Sequence, residues 1–190
     1  MEQEKSLSNE ESLKIITQMI HTAQGSFQGV SFHFLLWGWV VAITNVANYY
    51  LDQFTNYEHP YMVWLLTIPA GIVSMIYGIR SKSKMTVVTY SGSLIKWIWM
   101  AFGICLFIVI FSQAFGPTIP AIILLITGFA TFTSGLIIKF KPLIVGGSAF
   151  WIFAVIALSV DYSYSPLISA VAIIVGYLVP GYMLKKQHNA

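Results

Sequence analysis

The sequence predicts an all-α membrane protein with six transmembrane helices in three antiparallel hairpins, preceded by a cytoplasmic amphipathic helix. Hydrophobic residues make up 57% of the 190 residues, and charged residues only 9%. A soluble domain has about 25% charged residues, so lipid must solvate much of this chain. Six apolar segments approach the roughly 20 residues that a helix needs to cross a bilayer core of about 30 Å. The hairpins follow from the short connections between these segments.

Residues 1–28 form a predicted cytoplasmic segment with a helical pattern of its own. A capping box, S-x-x-E, begins at Ser8 and starts a helix that reaches about Gln24. Leu13, Ile16 and Ile20 then recur at spacings of three and four, which places them on one face. A helix held by anionic lipid is rich in Lys and Arg, whereas this segment is rich in Glu. We therefore expect these three side chains to dock on the bundle or on a protein partner.

The predicted transmembrane domain covers residues 29–184, and residues 185–190 form a short cytoplasmic tail. Its spans are expected at residues 29–51, 61–79, 96–115, 119–138, 143–160 and 167–184. The connection at residues 81–93 is the only one of some length, and its sequence fits either an extended or an interfacial conformation. Pro69 and Pro180 are expected to kink the second and sixth spans, because proline removes a backbone donor.

The charged residues predict the orientation of the spans. All ten Lys and Arg residues fall before the first span, at the inner start of the third, or in alternate connections and the tail. The other three connections contain Asp52, Glu58 and Asp161 and no basic residue. Cytoplasmic loops retain Lys and Arg, so both termini are predicted to be cytoplasmic.

Several functional classes lack their sequence signals. The basic residues form no broad patch for nucleic acid, and Cys105 is the only cysteine. There is no P-loop, nucleophile-elbow or zinc-protease motif. His33 is the only histidine within a predicted span, so haem or a metal is not expected, nor is any other cofactor. No span offers a nucleophile together with a base, so we do not expect an enzyme.

A polar stripe marks one face of the first span. Gly38, Val41, Asn45, Asn48 and Asp52 follow one another at spacings of three and four. Amides and a carboxylate facing lipid would lack hydrogen-bond partners, so the stripe is expected to face the bundle or a water-filled cleft. Interhelical packing and a path for a ligand or water both fit this pattern.

Small and hydroxylated residues form similar stripes on two other spans. The second span carries Thr67, Gly71, Ser74 and Gly78, and the fourth carries Thr127, Thr131 and Gly135. Small residues let helix backbones approach closely, so both stripes are interpreted as packing faces. Thr67, Ser74, Thr127 and Thr131 are also possible partners for the polar stripe of the first span.

The first two hairpins resemble each other, which suggests an internal duplication. A Trp-x-Trp motif opens each hairpin, at residues 37–39 and 97–99, and Pro60 and Pro120 are also 60 residues apart. The pattern G-x-x-[S/T]-x-x-x-G occurs at residues 71–78 and again at residues 128–135. The alternative is that Trp, Pro and Gly simply recur at such places in membrane proteins.

Residues 34–41 (FLLWGWVV) and 63–78 (VWLLTIPAGIVSMIYG) resemble segments of uncharacterised bacterial multi-pass inner-membrane proteins. That resemblance implies a bacterial inner membrane and no particular function. Chain length and span number are also similar to those of the substrate-binding subunits of energy-coupling-factor vitamin transporters. The alanine-based coupling motif of those subunits is not matched, since Ala42 and Ala47 have a different spacing.

The sequence therefore favours a non-enzymatic accessory, regulatory or scaffold protein whose N-terminal helix meets a cytoplasmic partner. The alternative is a transporter or solute-binding subunit that uses the polar face of the first span. The expected partners of the protein are the lipid bilayer and a possible protein on the cytoplasmic side, and no nucleic acid is expected. A homo-oligomer is compatible with the sequence.

Overall fold

The computed structural model describes the backbone of residues 9–84, 90–112 and 114–189, and the side chains of residues 31–80, 92–112 and 114–186. Within these parts every regular element is helical. The longer helices are α1 Asn9–Phe54, α2 Thr67–Lys84, α3 Tyr90–Phe111, α4 Ile119–Ile137, α5 Lys141–Ser159, α6 Ser165–Ile173 and α7 Val179–Asn189. Short 3₁₀ helices at Pro60–Leu66, Gly116–Thr118 and Tyr162–Tyr164 precede α2, α4 and α6, and a π-helical turn, Ile174–Leu178, joins α6 to α7.

Six helical segments of the described chain are long and apolar enough to cross a membrane, which confirms the predicted number of spans. They are Ser31–Phe54, Pro60–Arg80, Gly92–Phe111, Gly116–Ile137, Lys141–Ser159 and Tyr162–Lys186. The third begins and ends earlier than predicted, because α3 already starts at Tyr90, inside the expected linker.

Helix α1 is continuous from Asn9 to Phe54, a length of 46 residues. At about 1.5 Å per residue it is roughly 69 Å long, about twice the thickness of a bilayer core. The N-terminal segment and the first span are thus parts of one helix. Leu13, Ile16 and Ile20 belong to its described backbone, but their side chains lie outside the described side chains.

Helices α4 and α5 make the most extensive contact in the bundle, although they belong to different predicted hairpins. Glycines allow this contact. A Cβ added to Gly128 would lie 3.0 Å from the Gly147 carbonyl oxygen, and one added to Gly135 would lie 2.8 Å from the Ile144 nitrogen. The packing predicted for the stripe of the fourth span is therefore present. Helix α1 packs on the other side of the bundle, against α6, the π turn and α7.

Helices α2 and α3 lie at the periphery. Only 6% of each of these spans is buried, against 56% of the sixth span. The main contacts of α2 are with α1 and the preceding 3₁₀ helix, and those of α3 are with α4. Much of their apolar surface is left for lipid or for another protein chain.

The sixth span changes its helical geometry at Ile174–Leu178, just before the buried Pro180. Proline has no N–H to donate to the carbonyl four residues earlier, and a π turn accommodates that loss. The predicted irregularity near Pro180 is therefore found in the turn before it. In the second span, the transition from 3₁₀ to α-helix falls at Thr67, so Pro69 lies in the first turn of α2.

A residue in the left-handed conformation ends α4. Lys139 has φ of 55°, the Phe140 N–H donates to the Gly135 carbonyl, and the Lys139 N–H donates to the Leu136 carbonyl. These two bonds form a Schellman motif, in which this position is usually glycine. The motif reverses the chain within a few residues and brings α5 back along α4.

The described charged side chains lie at or near the ends of the spans. We call the set of span ends that carries Arg80, Lys96, Lys139, Lys141, Lys185 and Lys186 the basic end. The other, the acidic end, carries Asp52, Glu58 and Asp161. In the short turn at Asp161, hydrogen bonds from the side chain and backbone of Ser163 lower the pKa of the Asp161 carboxyl group.

Candidate functional site

The clearest polar contact between two spans joins α1 and α2 near the basic end. Ser74 Oγ of α2 lies 2.9 Å from His33 Nδ1 of α1, and Trp37 Nε1 donates to the same oxygen at 3.4 Å. His33 and Trp37 are one helical turn apart on α1, so they project from the same face toward α2. All three side chains are partly buried.

The donors and acceptors assign a direction to the bond between Ser74 and His33. An indole N–H can only donate, so Ser74 Oγ accepts from Trp37. The oxygen has a second lone pair, so this contact alone does not fix the direction of the bond to His33. We assign the hydroxyl proton to the bond with His33 Nδ1, and the imidazole proton to Nε2, because Nδ1 is the acceptor within reach among the described residues. No other acceptor for this proton is found among the described residues, whereas Ser134 and Thr131 donate to carbonyl groups of their own helix.

Aromatic rings hold the imidazole in place. Phe32 and Tyr77 stack with their ring centroids 3.8 Å apart. The rings of His33 and Tyr77 meet edge to face, with their centroids 5.7 Å apart. Tyr77 is three residues after Ser74 on α2. The turns of α1 and α2 that carry His33 and Ser74 therefore also carry the aromatic rings that pack beside the imidazole.

The surface of α2 beside Ser74 is open. Gly71 and Gly78, three residues before and four after Ser74, have no atom of the described residues within 4 Å of an added Cβ. The expectation that this stripe packs closely against another helix of the chain is therefore wrong at these glycines. The reason is that α2 contacts little besides α1 and the preceding 3₁₀ helix, so no second helix covers them.

The polar stripe of the first span is buried near the middle of the membrane segment and exposed at its end. Asn45 is only 4% exposed, and its Nδ2 donates to the Val41 carbonyl at 2.8 Å. Asn48 is half-buried, and Asp52 is exposed and accepts from Gln53. Among the described residues, none of these three hydrogen-bonds to the predicted partners Thr67, Ser74, Thr127 or Thr131.

The remaining predicted polar residues have partners of their own. Thr67 Oγ1 donates to the Trp64 carbonyl at 2.6 Å, within one turn. Thr131 is fully buried, donates to the Thr127 carbonyl at 2.7 Å, and is hydrogen-bonded to Tyr177 of the π turn. Thr131 thus ties α4 to the sixth span, while Ser74 ties α2 to the first.

The chain's His, Cys, Asp and Glu residues form no group of three that could hold a metal ion, within the part of the chain that the structure describes. His33 already uses Nδ1 for Ser74. His33 and Ser74 lie 41 residues apart along the chain, and no sequence pattern links them. Only the packing of α2 against α1 makes them a pair.

No protein-family model, curated protein or solved structure matches this chain.

Proposed function

We propose that this protein is an accessory or regulatory membrane component whose N-terminal helix binds a protein partner. The observation that carries the proposal is the continuity of α1 from Asn9 to Phe54. The sequence predicts that the first span begins at about residue 29, so residues 9–28 of the same helix precede it and cover roughly 30 Å at about 1.5 Å per residue. A helix of this length projecting from a bundle is a rigid arm that a partner can bind.

The position of the apolar residues on α1 supports this proposal. Within the membrane, Phe34 packs on Tyr177, and Gly38 lies against Leu178. By sequence spacing, positions 13, 16 and 20 fall on the same side of an α-helix as positions 34 and 38. One side of α1 therefore packs against the sixth span, and the sequence pattern continues the same side as an apolar stripe toward the N-terminus. Helix-in-groove binding uses anchors with this spacing.

The test places a photo-crosslinking amino acid at Ile16 or, as the matched control, at Gln18, in native membranes. Ile16 belongs to the apolar stripe and Gln18 does not. A discrete adduct with a second polypeptide is expected at position 16, with none at position 18. Leu13→Glu should abolish the adduct, while Lys14→Glu should leave it. Equal crosslinking at both positions, or crosslinking only within the chain, would contradict the proposal.

The proposed setting is the cytoplasmic membrane of a bacterium, with both termini inside and the spans arranged as three hairpins. The collection of all described Lys and Arg residues at the basic end supports this orientation, because cytoplasmic loops retain such residues. In this arrangement residues 9–28 extend into the cytoplasm. Arg80 and Lys139 then lie at the inner membrane surface.

A role in solute binding or transport is the second candidate, and Asn45 favours it. Its side chain is 96% buried, yet its carbonyl oxygen accepts no hydrogen bond from the described residues. The buried Ser165 and Ser169 of α6 likewise make no side-chain hydrogen bond within the described chain. An unpaired polar group in an apolar interior is costly, so water or a polar solute is a suitable partner. Loss of solute uptake in Asn45→Leu with intact insertion would support this candidate.

A further inference from the structure

We propose that Ser74 is an activated nucleophile, with His33 as its general base, and that it accepts an acyl group from an ester of a membrane lipid. This activity goes beyond the interaction role of the N-terminal helix. Its structural basis is the 2.9 Å contact between Ser74 Oγ and His33 Nδ1. A hydroxyl within hydrogen-bond reach of a base that is itself held in place is the arrangement that serine nucleophiles use.

The direction of the hydrogen bond suits this chemistry. The Ser74 hydroxyl donates to His33, so the lone pair of Nδ1 is directed at the proton that must be removed. The opposite direction, with Nδ1–H donating to Ser74, would leave the hydroxyl proton without an acceptor among the described residues. The imidazole is oriented by Tyr77, whose ring stands at 90° to it.

The location of the pair suits a lipid ester. The sequence predicts that the first span begins at about residue 29, so His33 lies about one helical turn from its start. Ser74 is six residues before Arg80, the last residue of its span, so it lies roughly 9 Å from that end at about 1.5 Å per residue. The span Pro60–Arg80 about equals in length the hydrocarbon core of roughly 30 Å, so Ser74 lies in the outer part of the hydrocarbon, and a glycerolipid ester has to move several ångströms inward from the head-group boundary to reach it. Arg80 at the surface can attract the phosphate of the same lipid.

The open surface of α2 provides the approach. Gly71 and Gly78 flank Ser74 and have free space around them, whereas the corresponding Gly128 and Gly135 of α4 are covered by α5. Exposed apolar side chains, Ile72, Met75 and Ile79, continue this surface toward the lipid. An acyl chain can therefore lie against α2 with its carbonyl carbon beside Ser74.

The reaction proceeds in two balanced steps. Ser74 Oγ attacks the carbonyl carbon of the ester while its proton passes to His33 Nδ1. The bond between that carbon and the alkoxy oxygen breaks, the leaving alkoxide takes the proton from His33, and acyl-Ser74 and the free alcohol remain. Water then attacks acyl-Ser74 with His33 as the base, which releases the fatty acid and restores the hydroxyl. During the attack the Trp37 N–H remains within hydrogen-bond reach of the Ser74 oxygen, which is the atom that forms the new bond.

The test uses the purified full-length protein in detergent and a long-chain alkyl fluorophosphonate. This probe reacts with activated serines by forming an oxygen–phosphorus bond and releasing fluoride, so no further reactant is needed. Stoichiometric labelling of Ser74, located by peptide mass spectrometry, is expected. His33→Gln should slow labelling by about 100-fold or more, the usual contribution of a general base.

Two controls keep the result specific. Ser148 is a partly buried serine of α5 whose hydroxyl donates to the Ile144 carbonyl, so it should remain unlabelled, and Ser148→Ala should not change the rate at Ser74. Thermal unfolding of Ser74→Ala and His33→Gln establishes that each variant is folded. An unlabelled Ser74 in folded wild-type protein would overturn the proposal, as would a labelling rate that is the same in folded His33→Gln.

Discussion

Gly146 of α5 and Gly176 of the π turn approach so closely that a Cβ on Gly146 would lie 2.6 Å from the Gly176 carbonyl oxygen. Phe150, one turn along α5, covers the other side of Gly176 and is fully buried. Backbone contact of this kind is how membrane helices gain packing energy without a hydrophobic driving force. The centre of the bundle therefore depends on glycines rather than on large side chains.

Gly146→Ala should destabilise the bundle. The added methyl group has to displace backbone atoms, and overpacking of this kind costs about 1–3 kcal/mol. Unfolding in a denaturing detergent titration measures the change. Gly103→Ala on α3 is the matched control, because nothing lies within 4 Å of its added Cβ. Equal effects of the two substitutions would contradict the close contact of α5 with the π turn.

Lys139→Gly should stabilise the protein by about 1 kcal/mol. Lys139 has φ of 55°, a conformation that costs an L-residue about 1–2 kcal/mol and glycine almost nothing. Lys141→Gly removes the same charge at the first residue of α5 and should not stabilise, which separates the backbone effect from the loss of charge. Chemical denaturation of both variants tests this, and a less stable Lys139→Gly protein would contradict it.

Reporter fusions should place the two ends of the bundle on opposite sides of the membrane. Fusions after Glu58 and Asp161 are expected to report a periplasmic location, and fusions after Lys84, Lys141 and Ala190 a cytoplasmic one, because the basic residues are retained inside. Alkaline phosphatase and a fluorescent protein serve as complementary reporters. Cytoplasmic activity of the Glu58 fusion would invert the proposed orientation.

Cysteine accessibility should follow the burial of the polar stripe. In a Cys105→Ala background, a membrane-impermeant maleimide added from outside is expected to label Asp52→Cys and not Asn45→Cys. The reason is that Asp52 is exposed at the end of α1, whereas Asn45 is 4% exposed. Rapid labelling of Asn45→Cys would instead indicate a water-filled path and favour the transport role.

Acid should remove a small stabilising contribution of Asp161. The side-chain and backbone hydrogen bonds from Ser163 lower the pKa of this carboxyl group. The ionised form is therefore favoured in the folded protein. The contribution of the ionised carboxylate to stability is fully present above the pKa of Asp161 in the unfolded chain, about 3.9. It is lost as the pH falls through the lower pKa of Asp161 in the folded protein. NMR titration of Ser163→Ala should show the Asp161 pKa moving upward, and an unchanged pKa would rule out a role for the Ser163 hydroxyl.

Hydropathy was sufficient to predict the six spans, because each needs only a continuous apolar length. Local sequence could not predict which helix covers which face. The patterns at residues 71–78 and 128–135 are alike, yet Gly128 and Gly135 are packed against α5 while Gly71 and Gly78 are uncovered. That difference arises because α2 lies at the edge of the bundle. The residues of α2 alone do not predict this position.

The candidate site could be predicted only in part for the same reason. The sequence pattern marks Ser74 as a polar residue of a packing stripe and His33 as a single histidine within a span. Their hydrogen bond depends on the register of α1 against α2, which brings residues 41 positions apart within 2.9 Å. The buried Thr131 was selected as a polar residue of the fourth span, but its bond to Tyr177 depends on the geometry of the sixth.

The π turn at Ile174–Leu178 makes the sixth span sensitive to chain length as well as to side-chain identity. Such a turn accommodates one residue more than an α-helix of the same rise, and each residue of an α-helix adds about 100° of rotation. Deleting Val175 should therefore restore a regular α-turn and leave the residues after it close to their present faces, whereas inserting one residue into α7 should rotate everything after it by about 100°. An insertion before Gly181 would then turn this glycine away from Leu35, whose side chain it now contacts. Single-residue insertion should therefore disrupt the bundle more than single-residue deletion at the π turn.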